Sequence, residues 1–105
     1  MTVTMFVGYP TGSNFDMDYY LNKHLPTVGS VWKPFGMGAS RVTIATDSKG
    51  PYLALAQIEW PSMEAAQKAQ TETPPEVHKK MLDDIKNYTD IQPTIWFMEN
   101  KDIGS

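Results

Sequence analysis

The sequence predicts an α+β fold in one domain: a four-stranded antiparallel sheet carrying its helices on one face. Three observations predict it. Four segments alternate apolar and polar residues with a period of two, as half-buried strands do. Two segments repeat apolar residues at three- and four-residue steps, as helices with one buried stripe do. And 105 residues suit one domain with one modest core, spanning 1–105.

The first strand covers residues 2–9, TVTMFVGY, with Val3, Met5, Val7 and Tyr9 on one face and Phe6 on the other. The turn cluster PTGSN follows, and Asn14 or Asp16 is placed to cap the next helix by accepting from its free amides. From Met17 the apolar positions Leu21, Leu25, Val28, Trp32 and Phe35 form a helical stripe, which KPFGMG ends. Residues 40–46, SRVTIAT, are the second strand, and DSKGP is a hairpin loop. Residues 52–60, YLALAQIEW, are the third, with Leu53 and Leu55 opposite Ala54, Ala56, Ile58 and Trp60.

Ser62 then caps a short helix, with Glu64 in its first turn. A second helical segment restarts at TETPPEV. There Thr73 and Glu76 have capping-box spacing, Pro74 takes the first helical position, and Val77, Met81, Ile85 and Tyr88 face inward. Residues 92–98 form the last strand, with Ile95 and Phe97 on one side and Trp96 and Met98 on the other. The tail 99–105 is expected to be loose.

The order βαββαβ is that of the ferredoxin-like fold. Right-handed crossovers put both helical segments on one face of its sheet. The opposite face is not polar, since Phe6, Leu53, Leu55, Trp96 and Met98 point there. A sheet apolar on both faces with helices for one requires another cover, and a second copy across a two-fold axis supplies it. The expectation is a homodimer.

Composition excludes several functions. The net charge of −3 is spread along the chain and leaves no basic footprint for nucleic acid. Without cysteine there is no disulfide, thiol chemistry or thiolate metal site. The opening MTVTMFVGYP lacks the pattern of a secretion signal, and no apolar run is long enough for a membrane span, so a cytoplasmic protein without a membrane partner is expected. Two histidines far apart give no metal-binding spacing, and no glycine-rich phosphate loop is present, so no cofactor or metal is expected. Seven methionines and twelve aromatic residues make either a core of large side chains or walls that adapt to an apolar ligand.

The segment FDMDYYLNKHLP, residues 15–26, holds the chemistry. On a helix, Tyr20, His24, Thr27 and Val31 form a stripe beside the core stripe, where helix meets sheet. Pro26 has no N–H for the carbonyl of Asn22 and its ring crowds that turn, so the helix should loosen around His24 and open a pocket. A histidine in an apolar cleft is a natural general acid–base. Tyr20 is positioned to hydrogen-bond a carbonyl or enolate oxygen. The rival reading makes His24 a brace for the loosened turn. Asp16 and Asp18 suit the helix start, Lys23 and Arg41 the solvated surface, and Trp32, Trp60 and Trp96 the core or an interface. His78 is read as a solvated residue on the polar side of its helix.

Phe15, Asp16, Tyr19, Tyr20, His24 and Pro26, in a short βαββαβ chain, resemble the F-D-x-x-Y-Y and H-x-P pattern of the EthD family, named for a protein of ethyl tert-butyl ether degradation. The resemblance implies membership of the dimeric α+β barrel superfamily, whose members include lactone isomerases, polyketide cyclases and dehydratases, cofactor-free monooxygenases and haem enzymes. It implies a small hydrophobic or aromatic ligand and a place in small-molecule catabolism or polyketide-type metabolism. The function expected is a cofactor-free isomerase, dehydratase or cyclase with His24 and Tyr20 catalytic and Tyr19, Thr27, Val31 and Trp32 binding substrate. The alternatives are an accessory or ligand-binding protein of a monooxygenase system, or a cofactor-free monooxygenase, which carry the family's oxidoreductase association.

Overall fold

The alternation of the first strand sets the two faces of the sheet. In the computed structural model, which describes residues 2–101, β1 (Val3–Pro10) buries Val3, Met5, Val7 and Tyr9. It pairs antiparallel with β3 (Tyr52–Trp60) on one side and β4 (Thr94–Glu99) on the other. The short β2 (Ser40–Ile44) adds to β3 as an edge, so the order is β2-β3-β1-β4, all antiparallel. This is the ferredoxin-like arrangement.

Register puts small residues opposite large ones on the helix-covered face. Tyr9 lies across from Ala54, Val7 from Ala56, Met5 from Ile58 and Val3 from Trp60. Val7 also faces Ile95, and Met5 faces Phe97. Alanine at two central positions of β3 leaves depth between sheet and helices. On the open face Phe6 stacks on Trp96 with ring centroids 5.3 Å apart, and Tyr52 lies 5.7 Å from Trp96. Tyr52 also covers Gly8, where a Cβ would sit 2.6 Å from its ring and force it to move.

The first helical region is broken into pieces. A short α1 (Met17–Tyr19) is capped by Asp16, whose carboxylate accepts from the Tyr19 amide. A π-helical turn (Tyr20–His24) follows, then α2 (Leu25–Trp32) and a 3-10 turn (Lys33–Phe35). In the π turn the Leu25 amide donates to the carbonyl of Tyr20, five residues back. Pro26 explains the widening: without an N–H it offers Asn22 no i+4 bond. The loosened turn expected at His24 is therefore a π turn.

The widening also changes which residues face inward. Leu21, which an unbroken helical stripe would bury, is 42% exposed, while Tyr20 and His24 are buried. Gly36, at φ +103°, ends the region in a left-handed conformation favoured by glycine.

The second helical region is α3 (Met63–Glu72), capped by Ser62 as expected, and α4 (Pro75–Asp84), continued by a 3-10 turn (Ile85–Asn87). The capping box is not formed. Thr73 ends α3, is buried, and its hydroxyl donates back to the carbonyl of Ala69 at 2.5 Å, while Pro75 rather than Pro74 opens α4. A threonine in the interior can satisfy its hydroxyl on the preceding turn, and here that local bond wins. Met81, Ile85 and Tyr88 face the core as predicted, and Val77 is half-buried. In the tail, Glu99 closes β4 and Asn100 donates to the carbonyl of Thr2 at 3.0 Å; residues 102–105 of that predicted loose segment lie outside the described residues.

Candidate active site

His24 sits at the end of the π turn, 7% exposed, with its Nδ1 2.9 Å from Oδ2 of Asp84 at the end of α4. The Asp84 carboxylate is itself held: Tyr19 donates its hydroxyl to Oδ1 at 2.5 Å, and the Asn87 amide donates to the same oxygen at 2.9 Å. Partial burial would raise the pKa of Asp84, but the hydrogen bonds from Tyr19, Asn87 and His24 outweigh it and hold the carboxyl below its ordinary range. An ionised carboxylate only accepts, so the His24 proton resides on Nδ1 and Nε2 is the basic nitrogen.

An aromatic cluster orients this pair. The Tyr20 ring stacks nearly parallel to the His24 imidazole, 16° from coplanar, and Tyr88 lies 4.7 Å from it. Tyr9 and Tyr88 join their hydroxyls at 2.7 Å, and Phe15 packs edge-on against Tyr9, Tyr20 and Tyr88. Burial pushes the phenols of Tyr9, Tyr20 and Tyr88 well above the ordinary tyrosine value. Tyr20 therefore stays neutral, its hydroxyl donating to Tyr9, and does not act as a base.

Each motif residue thus has a physical task. Phe15 anchors the cluster and forms a bridge with Thr89; Asp16 caps α1 and donates its amide to the Tyr88 carbonyl; Tyr19 holds Asp84; Pro26 opens the π turn.

A largely apolar cavity of about 150 Å³ lies between the helices and the sheet. His24, Tyr20 and Trp32 border it, with Leu25 and Val28 from α2, Ala56 from β3 and Met81 from α4. Leu82 and Ile95 also border it while remaining 49% and 47% exposed, which marks its mouth. Three other residues proposed for the site lie off the cavity. Tyr19 turns to Asp84, Thr27 is exposed and donates to the Lys23 carbonyl, and Val31 is half-buried against the core. Leu25, Val28 and Trp32 of α2 take the inward positions, as the apolar stripe predicts.

Sequence reasoning missed three residues. Asp84 follows Val77 and Met81 at steps of four and three, a spacing that places it beside the inward stripe of α4. His78, expected in solvent, borders the cavity, as does Gln70 of α3. Among the described residues no group of three His, Cys, Asp or Glu side chains is arranged to hold a metal ion, and no helix is long and apolar enough to cross a membrane.

No family model and no curated protein matches the chain. Solved structures do. An EthD-like protein from Ralstonia eutropha JMP134 is 27% identical with a TM-score of 0.74, covering 93% of this chain and 90% of its own. An ethyl tert-butyl ether (EthD) family protein from Bacillus halodurans C-125 is 18% identical with a TM-score of 0.72, covering 96% of this chain and all of its own. An antibiotic biosynthesis monooxygenase, 15% identical with a TM-score of 0.50 over 97% of this chain and 100% of its own, shares the fold. With the motif of residues 15–26 built into the fold it shares with the first two, the chain is EthD-like.

Proposed function

We propose that the protein is an enzyme that moves a proton on a small, apolar, oxygenated compound, in an isomerisation, dehydration or cyclisation, with His24 as the acid–base. The observation that carries this is the pairing of His24 with Asp84 at 2.9 Å on the wall of an apolar cavity. Nε2 takes a proton from substrate carbon or oxygen, Asp84 stabilises the imidazolium that forms, and the same nitrogen returns the proton elsewhere. The neutral Tyr20 phenol, redirected from Tyr9, donates to the oxygen on which charge develops. The chain's own groups suffice for this step.

A homodimer formed through the open sheet face belongs to the same reading. Its support is the Phe6–Trp96–Tyr52 cluster, with Met98 beside it at 56% exposed.

The test reads the proton directly. Lactones, cyclic ketones and phenols are screened by thermal shift, because specific ligands stabilise the folded state. Ketones that bind are then incubated in deuterated water, and exchange at the carbon next to the carbonyl is followed by NMR. Wild type should catalyse exchange, and His24→Ala should lower the rate by about 10²–10⁴-fold while changing affinity little. Equal exchange in both proteins defeats the assignment of His24. Binding without exchange in wild type gives the site to a ligand-binding or accessory protein instead.

A further inference from the structure

The cavity has a second polar end. Among the described residues, Trp32 Nε1, Gln70 Nε2 and His78 Nδ1 are buried side-chain nitrogens that find no hydrogen-bond partner, and all three residues border the cavity that His24 borders. Trp32 is 6% exposed. A buried polar nitrogen left unpaired carries a desolvation penalty, so three bordering one otherwise apolar space point to a ligand group that pairs with them.

Their place along the helices separates them from His24. Asp84, which fixes His24, lies six residues beyond His78 on α4, about 9 Å of helix axis. Trp32 ends α2, eight residues beyond His24, about 12 Å away along that region. Leu25, Val28 and Met81 lie between the two ends. A cavity of about 150 Å³ matches, in size, one known to hold a single benzene ring.

We infer that the ligand is a single-ring compound with an oxygen function at each end: one oxygen, or the carbon beside it, meets His24 Nε2, and the other is a carbonyl or carboxylate taken by Trp32, Gln70 and His78. This rests on the proposed proton-transfer site and adds the substrate class to it. Fused polycyclic compounds exceed the cavity.

The probes are 4-hydroxybenzaldehyde, its 2-hydroxy isomer, phenol and benzaldehyde, with affinities measured by calorimetry on wild type, Trp32→Phe and Gln70→Met. In wild type, 4-hydroxybenzaldehyde should bind about tenfold more tightly than phenol and more tightly than its 2-hydroxy isomer, the scale of one well-made hydrogen bond. Trp32→Phe removes the N–H along with part of the ring system, so the comparison is the ratio of the two affinities within each protein, and most of the advantage over phenol should vanish in the variant. Gln70→Met gives the same reading should Trp32→Phe fail to fold. Equal affinity for phenol and 4-hydroxybenzaldehyde overturns the two-ended ligand and leaves the His24 site standing. Failure of all four probes to bind wild type overturns the single-ring ligand class, while the His24 site stands or falls by the exchange measurement.

Discussion

Asp84 shows how a single side chain links stability to the candidate chemistry. Its folded pKa lies below the ordinary aspartate value of 3.8, since hydrogen bonds from Tyr19, Asn87 and His24 overcome the opposing effect of partial burial. A depressed carboxylate stabilises the fold above that ordinary value, and the contribution is lost as pH falls through the lower, folded value. Urea midpoints taken between about pH 7 and pH 3 should therefore fall more steeply at the acid end for wild type than for Asp84→Asn. Parallel acid limbs would mean that the carboxylate is no better bonded in the folded state than in the unfolded chain. Tyr19→Phe should act in the same direction, weakening the fold near neutral pH through the loss of one hydrogen bond. Tyr20→Phe, by contrast, keeps the stacked ring beside His24, and its effect should appear mainly in turnover.

Element boundaries followed local chemistry wherever that chemistry was local. Ser62 caps α3 through the Ala65 amide at 3.1 Å, so Ser62→Ala should cost about 1 kcal/mol. Glu76 belongs to no capping box, and Glu76→Ala should stay within about 0.5 kcal/mol; thermal or urea unfolding of the two variants separates the cases. A large loss from Glu76→Ala would restore the capping box. The same contrast explains what was legible in the sequence. Alternation in β1 and β3 gave both faces of the sheet, because a strand's period of two survives packing. His24 and Tyr20 were legible as a pair beside Pro26. Leu25, Val28 and Trp32 were legible as the inward stripe, whereas Leu21, on the π turn, faces out, and Thr27 and Val31 lie off the cavity. Asp84 and His78 were hidden for a different reason: each is a polar residue at the edge of an apolar stripe, and only the meeting of α4 with the π turn gives either one a partner or a cavity to face.

The whole molecule presents one sheet with two unlike apolar faces. The helices cover the one that holds the cavity, and the aromatic cluster of Phe6, Tyr52 and Trp96 occupies the other. Leu55 lies on that face too, opposite Gly8 in the register and half-buried, and Met98 is 56% exposed. Burial yields roughly 25 cal/mol for each Å² of apolar surface removed from water, so aromatic residues gathered on a flat face supply a strong drive to self-association. Wild type should therefore sediment as a dimer at micromolar concentration. Trp96→Glu would place an unpaired carboxylate in the interface, and a buried charge without a partner costs several kcal/mol, enough to shift the protein to monomer. Because Trp96 points away from the cavity, the monomeric variant should still bind the ring compounds that wild type binds, with little change in affinity. Dimerisation and binding lost together would mean that the second copy shapes the cavity. A wild-type monomer would show that the aromatic face serves some other partner.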